Sequence, residues 1–154
     1  MRPTRVRLLV GIAVIAAALG WGLVQVVGAW FGRLVPVPWA AAGAMWLLAG
    51  AVGYWAVTSR PRLRNLPGAK PMPPLVAART AALAMAASRI GALVLGFYAG
   101  IAVGMAPSLS TPSGLQIFWA ASAAALGACA LVVAALWLEW LCRLPAGPDD
   151  GASP

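Results

Sequence analysis

Two oppositely charged residues lie inside runs that are otherwise apolar: Arg89 in "LAMAASRIGALVL" and Glu139 in "AALWLEWLC". Charge inside a membrane-length apolar helix is expensive, and such residues pair with each other, line ion or proton paths, or reach to the interface. At helical rise, Arg89 falls about 27 Å below Pro107 and Glu139 about 36 Å below Leu115. The offset of about 9 Å is within helix tilt and arginine reach. The spacing predicts an Arg89–Glu139 ion pair locking two adjacent helices, with Arg79 as the competing cation. The alternative use of the two charges is a gate in a transport path. The polar groups that would line such a path, Gln25, Tyr54, Tyr98 and Ser122, are scattered.

Other chemistry is sparse. The chain has no His, and its remaining acids, Asp149 and Asp150, stand in the C-terminal tail, so general acid–base catalysis lacks its usual groups. Cys129 and Cys142 form neither a CxxC motif nor a metal-ligand spacing and read as packing residues. No phosphate-binding loop or nucleophile elbow is present. The expectation is a non-enzyme with no catalytic, cofactor-binding or metal site.

A third pattern is structural. Ser88, Ala92, Gly96, Gly100 and Gly104 recur every fourth residue and share one helix face. Gly costs about 1 kcal/mol relative to Ala in an exposed aqueous helix, but in lipid small residues let helix backbones approach closely. The stripe is therefore expected to hold another helix, the fourth span first of all, opposite Ala120, Ala123, Ala124, Gly127 and Ala128. The alternative occupant is a second copy or another membrane protein. Gly28 and Gly32 are also four apart, but at a helix exit, where a turn role is expected.

The elements that must position these residues follow from composition. Of 154 residues, 62% are hydrophobic and 9% charged, too few charges to cover a water-facing surface, since soluble domains carry about 25%. Lipid is the expected solvent. Apolar runs of membrane-spanning length occur at about 8–30, 39–57, 88–107 and 115–142, and the third pattern extends back towards Leu75. The fold class expected is an all-α integral membrane protein, with four transmembrane helices in two antiparallel hairpins filling residues 1–145. A basic, Pro-rich connector at 58–75 should be extended and solvated, and the tail at 146–154 disordered. "MRPTRVR" before the first run resembles a secretory signal, but the run is long enough to read as an uncleaved first helix.

The eleven basic residues against three acidic ones give a net charge of +8. Arg2, Arg5, Arg7, Arg60, Arg62, Arg64, Lys70, Arg79 and Arg143 fall on one side of the spans and only Arg33 on the other. The positive-inside rule predicts a multi-pass protein of the cytoplasmic membrane with both termini cytoplasmic. Trp30, Trp39 and Trp119 then mark the outer boundary and Trp55, Trp137 and Trp140 the inner one. Arg60, Arg62, Arg64, Lys70 and Arg79 are candidate contacts for anionic lipid headgroups; no nucleic-acid-binding fold surrounds them.

The segments "MRPTRVRLLVGIAVIAAALGWGL", "PVPW", "KPMPPLVAARTAALAMAASRIGALVLGFYAG" and "AALWLEWLCRLP" together resemble a small family of four-span membrane proteins of high-GC Gram-positive bacteria, domain of unknown function 3180. The resemblance covers nearly the whole chain and includes Arg79, Arg89 and Glu139. It implies a four-span protein without an assigned activity and carries over no catalytic residues. From the residues, the function expected is an accessory or scaffold role through helix packing, with membrane lipids and a membrane-protein partner or homo-oligomer as binding partners. Alternatives are a small transporter or channel-like oligomer gated at Arg89 and Glu139, and an anionic-lipid-binding protein.

Overall fold

The computed structural model describes residues 6–32, 37–63 and 74–142. Four long helices account for nearly all of them: α1 Val6–Phe31, α2 Trp39–Leu63, α3 Pro74–Gly104 and α4 Pro112–Cys142. Each contains a stretch long and apolar enough to cross a membrane. Their ends are set by local chemistry. α1 stops where Gly32 takes φ +58° and donates its N–H to the Gly28 carbonyl at 3.2 Å, the left-handed cap that Gly adopts without a Cβ penalty. The Gly28–Gly32 spacing thus serves a turn, as the sequence suggested.

Between α3 and α4 a single 3₁₀ turn, Ala106–Ser108, leads into Thr111. The Thr111 hydroxyl donates to the Ser108 carbonyl at 2.8 Å and accepts the Gly114 N–H at 3.1 Å. Thr111 is therefore the N-cap of α4, with Pro112 at the first helical position, where its missing N–H costs nothing.

The helices run past the apolar segments. α2 continues beyond Val57 to Leu63 and α3 begins at Pro74, so the connector expected to be extended over 58–75 is helical at both of its ends. Once nucleated, a helix extends cheaply. The Thr58 hydroxyl, at the point of crossing, is satisfied within α2 by the Tyr54 carbonyl at 2.9 Å and the Trp55 carbonyl at 3.2 Å.

The helices pack in the order α1, α3, α4, α2. Ala13 lies by Gly96 and Val24 by Gly104, so α1 and α3 run parallel. Gly91 meets Ala128 and Val132, while Ile101 clusters with Ala121, so α3 and α4 run antiparallel. Met45 meets Gly127 and Ala56 clusters with Leu138, making α2 and α4 parallel. The α3–α4 hairpin expected from the short connector is present. The expected packing of α1 against α2 is not made: among the described residues these two helices do not touch. Burial follows the order, with 11% and 17% of the α1 and α2 spans buried against 39% and 44% for α3 and α4. The result is an open row with two outer helices, each supported on one side.

Candidate functional site

The glycine stripe of α3 is a groove for backbone. A Cβ on Gly96 would land on the Ala13 carbonyl, and one on Gly100 on the Ala17 carbonyl. On Gly104 it would stand 3.0 Å from the Val24 Cβ. The fit is reciprocal, because a Cβ on Gly20 of α1 would strike the Phe97 carbonyl of α3. Ala92 and Ser88 continue the stripe at 2% and 0% exposure, and the Ser88 hydroxyl is satisfied by the Met85 carbonyl at 3.0 Å. The stripe does hold a helix of the same chain, but that helix is α1, where the sequence pointed to α4.

The reason lies in helix faces. A short connector makes α3 and α4 neighbours without choosing the faces that meet, and α4 uses a face of α3 beside the stripe. A Cβ on Gly91 would stand 2.8 Å from Val132 Cγ2 and 3.5 Å from the Ala128 carbonyl. Ala120, Ala124 and Ala128 are buried as expected, yet Gly127 turns to α2, where a Cβ would stand 3.0 Å from Met45 Cβ. Trp46 of α2 donates its indole N–H to the Ala123 carbonyl at 3.2 Å. The small residues of α4 are thus divided between two partners.

The expected Arg89–Glu139 pair is also corrected. Arg89 is exposed, on the same outer face of α3 as Ala82, Ala86 and Leu93, whereas Glu139 is buried at 7% exposure. No ion pair joins them. The antiparallel register explains this. Ala84 sits with Leu138, so Glu139 is level with the residues just before Ala84, and Arg89 stands about 9 Å further along the axis. The axial offset estimated from sequence was correct; the side chains leave their helices in different directions. Arg79, the competing cation, is exposed at the mouth of a groove.

The polar residues considered for a transport path do not converge. Gln25 is exposed on α1 and Tyr54 is 72% exposed on α2. Tyr98 packs edge-on against Phe97 with ring centroids 5.7 Å apart, and Ser122 lines a shallow groove of about 500 Å³ with Ala102, Val103 and Phe118. Cys129, read from sequence as a packing residue, is exposed.

A second groove was not visible in the sequence because it lies between α2 and α3, which do not touch and are bridged by α4. It has a volume of about 410 Å³ and is lined by Ala51, Val52 and Trp55 of α2, Arg79, Thr80 and Leu83 of α3, and Leu138 of α4. Of the candidate headgroup contacts, Arg79 therefore stands at a groove. Arg64 and Lys70 lie outside the described residues, as do the side chains of Arg60 and Arg62 and the tail at 146–154.

Against known proteins, residues 9–146 match the model of a family described as "Protein of unknown function (DUF3180)". No curated protein and no solved structure matches the chain.

Proposed function

This chain belongs to the DUF3180 family, and from that premise we propose that it is a non-enzymatic accessory protein that binds a helix of another membrane protein. We place it in the cytoplasmic membrane of an actinobacterium, with both termini cytoplasmic. The arginine distribution supports that orientation, and ten Arg to one Lys in an alanine-rich chain fits a GC-rich genome.

One observation carries the accessory reading. Gly91, Gly96, Gly100 and Gly104 of α3, Gly20 of α1 and Gly127 of α4 each face a neighbouring helix closely, but Gly43, Gly50 and Gly53 of α2, like Gly11, Gly22 and Gly28 of α1, meet nothing within 4 Å. Gly43, Leu47, Gly50 and Tyr54 recur at helical spacing on one face of α2, and all four are exposed. Lipid tails gain nothing from glycine, whereas a helix backbone does. An outer helix supported on one side only, with small residues on an outward face, suits docking of a partner helix. The gated-transporter alternative loses support, since its two charges stand apart and its polar groups do not line a common path.

The test is purification of the tagged protein from native membranes in mild detergent, comparing wild type with Gly43→Leu/Gly50→Leu. The expected result is a defined membrane protein retained by wild type and lost from the variant, with the melting temperature of the isolated chain unchanged. Equal retention by both would contradict the assignment of this face.

A further inference from the structure

The geometry points to a binding site for an anionic phospholipid in the groove between α2 and α3, with an acyl chain along the groove and the headgroup phosphate on Arg79. The groove has the polarity such a molecule requires. Its walls and floor, Ala51, Val52, Trp55, Leu83 and Leu138, are apolar, and its polar lining residues, Arg79 and Thr80, are adjacent on α3. Their depth fits as well. The membrane-spanning part of α3 begins at Ala82 and that of α2 ends at Ser59, so Arg79 stands about 4.5 Å beyond the apolar boundary by helical rise. That is headgroup level, and Leu83 and Val52 continue the groove into the hydrocarbon.

Charge selects the lipid class. Arg79 is exposed, and no ion pair among the described residues occupies it. A guanidinium presents a planar fork of donors that matches a phosphate with two parallel hydrogen bonds. Glu139, the acid present among the described residues, is buried and is not part of the groove lining. The volume of about 410 Å³ falls in the usual range of small-ligand sites, about 300–1,000 Å³. Trp55, 49% exposed at the rim, supplies the amphipathic ring that membrane proteins place at the headgroup boundary.

The experiment is native mass spectrometry of the full chain in mild detergent, titrated with phosphatidylglycerol or phosphatidylethanolamine of identical acyl chains. Wild type should retain phosphatidylglycerol about fivefold better, as expected for one basic residue at the membrane surface. Arg79→Gln should erase that preference and Arg79→Lys keep most of it. Leu83→Trp, which fills the groove, should reduce retention of both lipids, while Arg60→Gln/Arg62→Gln/Arg64→Gln should leave the preference in place. Equal retention of the two lipids by wild type would overturn the proposal. So would an unchanged preference in Arg79→Gln, unchanged retention in Leu83→Trp, or a preference lost only in the triple variant. Arg79 is exposed, so its replacement leaves folding intact and keeps the comparison decisive.

Discussion

Arg89 and Glu139 show what one residue's surroundings decide. Arg89 faces outward from α3 and Glu139 is buried at the opposite end of the offset. A double-mutant cycle with Arg89→Ala and Glu139→Ala should therefore give a coupling energy near zero, within about 0.5 kcal/mol, measured by thermal or denaturant unfolding in detergent. Arg89→Ala alone should be near neutral. Glu139→Ala should destabilise, because it empties a buried site. The glycines separate in the same way. Gly100→Leu must displace the Ala17 backbone and should cost about 1–3 kcal/mol or more, as overpacking does. Gly50→Ala, with nothing within 4 Å, should change stability by less than about 1 kcal/mol. Spacing alone does not say which of the two glycines has a neighbour, since that depends on the helix brought alongside.

Among the elements, α4 relies on its cap and on α2 for its orientation. Thr111→Ala removes the hydroxyl that accepts the Gly114 N–H and should lower stability by about 1 kcal/mol. Trp46→Phe removes the indole bond to the Ala123 carbonyl and should cost about 0.6 kcal/mol, the average for an interhelical bond in a membrane protein. Both losses can be read from unfolding curves of the detergent-solubilised chain. The helices themselves were legible in the sequence, because a bilayer imposes a length and a composition that few other environments require. Their termini were partly legible: Gly32 and Pro112 announce a stop and a start, whereas nothing in the hydropathy marks the continuation of α2 to Leu63. Apolar content measures the depth of the solvent, and the helix continues after the solvent changes.

At the scale of the whole molecule, the order α1, α3, α4, α2 depends on which small-residue face accepts which backbone. Chain connectivity favours two sequential hairpins, whereas among the described residues α3 packs against α4 and α1 does not touch α2. Gly96, Gly100 and Gly104 meet α1 instead of α4, and Gly20 of α1 returns the fit at Phe97. The groove beside Arg79 is a consequence of that order and has no counterpart in any local stretch of sequence. Disulfide trapping in native membranes, in a background with Cys129 and Cys142 replaced by Ala, tests this arrangement most directly. Val24→Cys/Gly104→Cys and Met45→Cys/Gly127→Cys should each cross-link within one chain, as neighbouring Cβ positions allow, and Val24→Cys/Met45→Cys should not. Efficient intrachain cross-linking of positions 24 and 45, with none between 24 and 104, would contradict the account.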